Sequence, residues 1–86
     1  MEEIVKSDSI TNLAKLGLHQ KGKVIEVNSE KKEVKRRLLD MGLTRGTTVK
    51  VENIAPFGDP ITISVRGYFL CLRSSDLKLI KVEVLS

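Results

Sequence analysis

The sequence predicts a small antiparallel β barrel with one helix across an end. Its 86 residues are enough for a single domain, 1–86, with a modest core. About five short segments rich in β-branched residues follow one another, joined by turns that contain glycine, proline or serine. One helical pattern interrupts them, and strands and helices do not alternate as they do in parallel sheets. Closure of such a small sheet into a barrel would also remove its exposed edges.

The chain begins with a polar segment, residues 1–9, that we expect to be flexible. Residues 10–16, ITNLAKL, place apolar side chains three positions apart, which predicts a single helical turn with Thr11 as its cap. The next segment, GKVIEV, is short and β-branched, and it predicts a first strand that ends near Asn28.

The clearest helix lies in NSEKKEVKRRLLDMG. Asn28 or Ser29 can accept the free N–H groups at its start, and Gly42 can take the left-handed conformation that ends it. Glu33 stands four residues before Arg37, the favourable order for a weak ion pair. One apolar stripe predicts packing on the core; its members are Val34, Leu38, Leu39 and Met41.

The second half of the chain reads as hairpins. Apolar and polar residues alternate in 49–52, in 61–65 and in 80–84, as expected for strands with one buried face. The pair Arg66–Gly67 predicts a tight turn. The polar stretch RSSDL predicts one helical turn capped by Ser74.

Charge and hydropathy restrict the class of protein. The formal net charge is +4, and much of the positive charge lies in residues 31–37, where acidic residues are interleaved. That mixture is typical of a solvated helix face, with a functional basic patch as the alternative. No apolar run approaches the ~20 residues of a membrane span, and the N-terminus lacks the apolar core of a secretory signal. We therefore expect a cytoplasmic protein without membrane insertion.

The residues offer little for catalysis or metal binding. Zinc sites need closely spaced Cys and His ligands, whereas this chain has only Cys71 and His19, far apart. Cys71 lies in the most apolar segment, which predicts a buried, inert thiol, and His19 is expected on the surface. A single cysteine also agrees with a reducing compartment. We predict no enzyme, no metal site and no cofactor.

The three aromatic residues bear on nucleic-acid binding, because small barrels stack bases on exposed rings. Residues 68–72 are apolar at almost every position, which predicts a strand covered on both faces. Tyr68 and Phe69 would then be packed at least partly in the sheet, with Phe57 as the one exposed ring. One ring is a poor stacking platform, so we predict no nucleic-acid partner.

The loop APFGDPI allows two interpretations. Pro56 fixes its own φ, Pro60 restricts Asp59, and Gly58 relieves the backbone between them. A loop stiffened in this way loses less entropy on binding, so it could present Phe57 to a partner protein. The alternative is a hairpin connection with the Phe57 ring folded over the mouth of the barrel.

The order of these motifs resembles the FeoA family, small accessory proteins of bacterial ferrous iron uptake. The resemblance covers residues 10–84. It is carried by LLDMGLTRG at 38–46, by PFGDP at 56–60 and by LCLR at 70–73. One departure is His19, which stands where the family often has the first glycine of a Gly-x-x-Gly pair.

The resemblance implies an SH3-like barrel with an inserted helix. It also implies a cytosolic protein that docks on the FeoB permease, which has a GTPase domain, and that supports or regulates transport. The candidate partner-binding residues are Phe57, Gly58, Asp59, Met41, Leu43, Arg45 and Arg73. A GTPase-activating role proposed for the family would use Arg45 or Arg73 as an arginine finger. Structural roles are the simpler interpretation, with Arg45 at the helix exit and Arg73 tethering the adjacent turn.

Two other functions stay open at this point. One is a regulatory barrel related to the C-terminal domain of iron-dependent repressors, although no helix-turn-helix segment precedes it here. The other is an RNA-binding barrel, which rests on charge alone. The sequence leaves the oligomeric state and the docking surface undetermined.

Overall fold

An antiparallel sheet of six strands is the main feature of the computed structural model, which describes residues 9–85. The strands are β1 Ile10–Asn12, β2 Lys21–Val27, β3 Thr48–Ile54, β4 Ile61–Val65, β5 Tyr68–Leu72 and β6 Ile80–Val84. A 3₁₀ turn spans Leu13–Lys15, and the helices are α1 Lys32–Asp40 and α2 Ser74–Leu77. Of the segment 1–9 that was predicted to be flexible, residues 1–8 lie outside the described residues.

The fold class is confirmed, with one more strand than predicted. The three-residue strand β1 occupies Ile10–Asn12, where a helical turn was expected. Among residues 9–85 the strands lie in the order β1-β6-β2-β3-β4-β5, so β1 and β5 are the edges of the sheet that these residues form. The expectation that closure removes the edges is therefore wrong. Irregularities at Val24/Glu26 in β2 and Val51/Asn53 in β3 are sites where bulges bend the sheet.

The core lies on one face of the sheet, where the alternating strands bury their apolar side chains. The alternation predicted for β3, β4 and β6 is confirmed, since Val49, Ile63 and Val82 are fully buried. Leu38 of α1 and Leu77 of α2 close this core. The outward positions of the same strands carry hydroxyl, amide and charged groups, as period-2 alternation requires.

Helix α1 ends as predicted but begins differently. Gly42 has φ +99°, the left-handed conformation expected at a helix C-terminus. Ser29 accepts a hydrogen bond from the Lys31 N–H at 3.2 Å, and α1 begins one residue later, at Lys32. Arg37 pairs with Asp76 of α2 at 3.2 Å, so the ion pair predicted with Glu33 is replaced by a tertiary one.

The 3₁₀ turn is capped by a different residue from the one predicted. Asn12 Oδ1 accepts a hydrogen bond from the Ala14 N–H at 3.0 Å, while Thr11 lies within β1. An asparagine in the extended conformation is well suited to this role, because its side chain reaches the free N–H two residues on.

Candidate functional site

The loop between β3 and β4 is closed by its own backbone. The Gly58 N–H donates to the Ala55 carbonyl at 2.8 Å, and the Ala55 N–H donates to the Pro60 carbonyl at 3.1 Å. Gly58 has φ +86°, and the Asp59–Pro60 bond is cis. Phe57 lies at the tip with 98% of its surface exposed, so its ring does not fold over the mouth of the barrel.

Asp59 ties this loop to helix α2. Its Oδ1 accepts a hydrogen bond from the Ser74 N–H at 2.7 Å, and its Oδ2 accepts one from the Ser74 hydroxyl at 3.2 Å. The predicted cap at Ser74 is therefore wrong: the residue that satisfies this helix start is Asp59, fifteen positions earlier. An open depression of about 260 Å³ lies beside it, lined by Asp59, Pro60 and Arg73.

The turn after α1, residues 41–45, is held against the β4–β5 hairpin. The Tyr68 hydroxyl donates to the Met41 carbonyl. Arg66 Nη2 donates to the Thr44 and Thr47 hydroxyls at 3.1 and 3.0 Å. Met41 is half-buried and Arg45 is exposed. This end of the hairpin is therefore joined to the helix exit by three side-chain hydrogen bonds.

Leu43 was predicted to contact a partner, and the structure corrects this. Its exposed fraction is 0%, and it belongs to the hydrophobic core. Its N–H donates to the Leu38 carbonyl at 3.3 Å, which folds the chain inward directly after the helix. An apolar residue three positions after the last residue of a helix is as compatible with the core as with the surface, so sequence alone could not distinguish them.

The other candidate residues lie in two groups at opposite ends of the β4–β5 hairpin. Phe57, Gly58, Asp59 and Arg73 are at one end, beside Ile61 and Leu72, and Met41 and Arg45 are at the turn end. A five-residue strand separates the ends by about 13 Å. A surface that includes both groups therefore has to include β5.

Strand β5 is not covered on both faces, contrary to the prediction. Phe69 is 70% exposed, Tyr68 is 42% exposed and Cys71 is exposed. The expected burial of the Cys71 thiol and the expected packing of Phe69 are therefore wrong, whereas Tyr68 is partly packed and donates to the Met41 carbonyl. Phe69 and Cys71 lie on the solvent face of the sheet, opposite Ser64 and Thr62 of β4. Sequence reasoning missed them because an apolar strand shows no alternation.

The two arginines considered as arginine fingers are both exposed. Within residues 9–85, neither the Arg45 nor the Arg73 guanidinium forms a hydrogen bond or an ion pair. Arg73 does hold the adjacent turn, but through its carbonyl, which accepts hydrogen bonds from the Asp76 and Leu77 N–H groups at 3.0 and 3.1 Å.

His19 and the basic residues of 31–37 were expected on the surface, and neither a metal site nor a membrane span was expected. His19 is exposed, as predicted, and so are the basic side chains of 31–37. In the described part of the chain, no three His, Cys, Asp or Glu residues are grouped to hold a metal ion. Over the same residues, no helix is long and apolar enough to cross a membrane.

These features define a small β domain with an exposed, tethered loop and a free strand edge. A family model described as the FeoA domain matches residues 11–84, and the chain belongs to the FeoA family. Membership of this family implies an accessory role in ferrous iron transport.

Solved structures agree with this assignment. The solution structure of an FeoA-like protein from Clostridium acetobutylicum is 45% identical, with a TM-score of 0.83, and the match covers 90% of this chain and 88% of that one. A crystal structure of Stenotrophomonas maltophilia FeoA complexed with zinc, described as a prokaryotic SH3 domain protein, is 28% identical with a TM-score of 0.76. That match covers 85% of this chain and 89% of the other, so the SH3-like fold is confirmed.

A curated relative joins two components in one chain. An Fe(2+) transport protein A/Fe(2+) transporter FeoB fusion protein from Porphyromonas gingivalis strain W83 is 34% identical over 70 residues. The match covers 80% of this chain and 8% of the fusion protein, so this chain corresponds to a small part of that protein.

The repressor alternative has a structural counterpart. A manganese-dependent transcriptional repressor is 18% identical with a TM-score of 0.80, over 88% of this chain and 37% of that one. At this identity the likeness shows the shared fold alone.

Proposed function

We propose that this chain is a non-catalytic, cytoplasmic accessory protein that docks on an FeoB-type permease and supports or regulates ferrous iron transport. The observation that carries the proposal is Phe57. Its ring is 98% exposed at the tip of a loop that the Asp59–Ser74 hydrogen bonds hold in place. A fully exposed aromatic ring on a tethered loop is a suitable anchor for a protein interface, since little entropy is lost when it binds.

The fusion protein from P. gingivalis supports the choice of partner. It carries an FeoA part and an FeoB part in one chain, which places the two at high effective concentration. Two separate proteins that perform the same task would need a docking surface instead. The position proposed for this chain is therefore the cytoplasmic face of the membrane, where it is held by its partner.

Binding to the purified cytosolic part of the FeoB permease from the same genome tests the proposal. The wild-type protein is expected to bind, and Phe57→Ala to bind at least about tenfold more weakly, because its anchor is removed. Leu85→Ala is the matched control. Leu85 is also apolar, 45% of its surface is exposed, and it lies beside the start of β2 and not at the loop. Equal binding by all three proteins would remove Phe57 from the interface, and no binding by the wild type would overturn the docking function.

A cellular assay separates support of transport from mere association. In cells that lack the gene for this chain, complementation with the wild type is expected to restore ferrous iron uptake, and Phe57→Ala to restore it only partly. Full rescue by Phe57→Ala, despite lost binding in vitro, would show that docking through this ring is not required for transport.

RNA binding is a second candidate because the rings that were expected to be packed are exposed. Phe69 lies across the outer sheet face from Ser64, Lys50 and Lys21, which follow one another in register on adjacent strands. An aromatic ring beside lysines is the arrangement used to bind single strands. A titration with mixed-sequence RNA at low salt tests it, since phosphate contacts are strongest there.

A further inference from the structure

Within the sheet formed by residues 9–85, β5 is an edge strand without the usual protection against pairing. Tyr68–Leu72 pairs with β4 in continuous register and lies at the end of the sheet. It contains no proline and no charged residue, and its pairing shows no bulge. Natural proteins normally protect such edges with charges, bulges or prolines, because an open edge binds further strands. A stretch of five uncharged residues without these devices is therefore suited to accept a strand.

The hairpin turn determines which backbone groups of β5 are available. Arg66 and Gly67 both have positive φ, +50° and +91°, as in the two-residue turns that make the flanking residues a hydrogen-bonded pair. That pair is Val65 and Tyr68. The direction of the backbone hydrogen-bonding groups alternates along an antiparallel strand. The N–H and C=O groups of Tyr68, Leu70 and Leu72 therefore face β4. Those of Phe69 and Cys71 face the open edge.

The side chains next to this edge add apolar surface. Phe69 is 70% exposed on the outer face of the sheet, and Leu70, on the core face, is half-buried. A strand added beside β5 would cover part of the Phe69 ring on one face and complete the burial of Leu70 on the other. Cross-strand contacts of this kind stabilise a sheet beyond the backbone ladder.

Charge identifies the kind of strand that fits. Arg66 and Arg73 stand at the two ends of β5. Arg66 Nη2 donates to the Thr44 and Thr47 hydroxyls, but in the described part of the chain neither arginine has an acidic partner. A second copy paired antiparallel, with Phe69 opposite Cys71 of the second copy, would bring Arg73 beside Arg66 of that copy. The chain also carries a net charge of +4. Like charges at both ends oppose self-pairing and favour an acidic partner.

We propose that β5 binds an extended segment of a partner protein by strand addition. The segment has an apolar centre that covers Phe69 and Leu70, and an acidic residue near each end for Arg66 and Arg73. Arg66 lies in the turn, so the extended part of the chain from Tyr68 to Arg73 covers five residue steps, and the acidic residues stand about 17 Å apart along an extended chain. The proposal rests on the docking function and specifies how the partner is held, between the two groups of candidate residues.

Amide hydrogen exchange measured by NMR on the complete chain tests the backbone geometry. In the free protein, the Phe69 and Cys71 amides are expected to exchange rapidly, and those of Leu70 and Leu72 slowly. Addition of the cytosolic part of the FeoB permease should slow Phe69 and Cys71 by about tenfold or more. Binding without this protection would overturn strand addition and leave docking intact, whereas absence of binding would overturn docking and strand addition together.

A backbone substitution gives a second, independent test. Cys71→Pro removes the outward N–H, and proline is tolerated on an edge strand where that group faces solvent. It is expected to weaken binding about tenfold or more, while the matched control Cys71→Ala, which keeps the N–H, binds like the wild type. Thermal unfolding shows whether both variants are folded. If Cys71→Pro is folded and binds normally, or if Phe69 and Cys71 become protected only with rising concentration of the free protein, the proposal is wrong.

Discussion

The two ends of the β4–β5 hairpin are attached to the rest of the molecule in different ways. At the turn end, Tyr68 and Arg66 bond to the residues that follow α1, and the chain then passes into the core at Leu43. At the other end, Asp59 makes the attachment to α2, and Phe57 extends into solvent. The contrast shows that residues chosen together as a docking surface belong to two classes, one structural and one available to a partner.

Leu43→Ala is the strongest test of the structural end. Removal of a fully buried leucine leaves a cavity, and we expect the free energy of unfolding to fall by about 2–5 kcal/mol. Urea unfolding measures the loss, with the exposed Leu18→Ala as control. A loss below about 1 kcal/mol would show that Leu43 is not a core residue and would return it to the candidate surface.

Gly42→Ala tests how tightly the helix exit is joined to the hairpin. A Cβ at this position would lie 2.5 Å from the Tyr68 hydroxyl oxygen, and the residue has φ +99°. The conformational cost is about 1–2 kcal/mol, and displacement of the hydroxyl adds about 1 kcal/mol. Gly46→Ala is the matched control, because Gly46 has φ +89° with nothing within 4 Å. Equal losses in the two variants would show that the Tyr68 contact contributes nothing.

Asp59→Ala tests the weaker attachment at the loop end. Loss of both hydrogen bonds to Ser74 is expected to lower the free energy of unfolding by about 1 kcal/mol, the usual value for a helix cap. Asp59→Asn keeps one acceptor oxygen and should lose less. The measurement is thermal unfolding, in which 1 kcal/mol corresponds to about 4–8 °C for a domain of this size. If both variants are as stable as the wild type, the loop is not held by this carboxylate.

Phe57→Ala is expected to have the smallest effect on stability, within about 0.5 kcal/mol, because the ring is almost fully exposed. The same variant should have a large effect on binding to the permease. Together these results would show that the loop end of the hairpin serves binding, whereas the turn end serves stability. A substantial loss of stability in Phe57→Ala would instead show that the ring packs on the domain.

The elements that alternate were predicted well from the sequence. In β3, β4 and β6 the buried and exposed positions follow a period of two, and the turn that ends α1 contains Gly42 with positive φ, so local pattern and tertiary position agree. β5 was predicted wrongly for a physical reason. Its residues are apolar on both faces, and composition cannot distinguish a central strand from an edge strand that keeps apolar side chains on the surface.

The candidate site was predictable only in part. The irregular loop around Phe57 follows from local turn chemistry, since the surrounding prolines and glycine exclude regular structure, but its sequence did not decide whether the ring points to solvent or folds over the barrel. The role of Asp59 could not be derived in the same way, because its partner Ser74 is brought close by the whole β4–β5 hairpin. Leu43 and Cys71 show the same limit, since their burial depends on neighbours that are distant in the chain.

The turn at Arg66 and Gly67 determines which side chains of β5 point to each face of the sheet. Successive side chains of a strand point to opposite faces, so one additional residue in this turn would exchange the two faces of β5. Phe69 and Cys71 would then point to the interior, and Leu70 and Leu72 would point to solvent. The length of a two-residue connection therefore decides which chemical groups the edge of the domain offers to another protein.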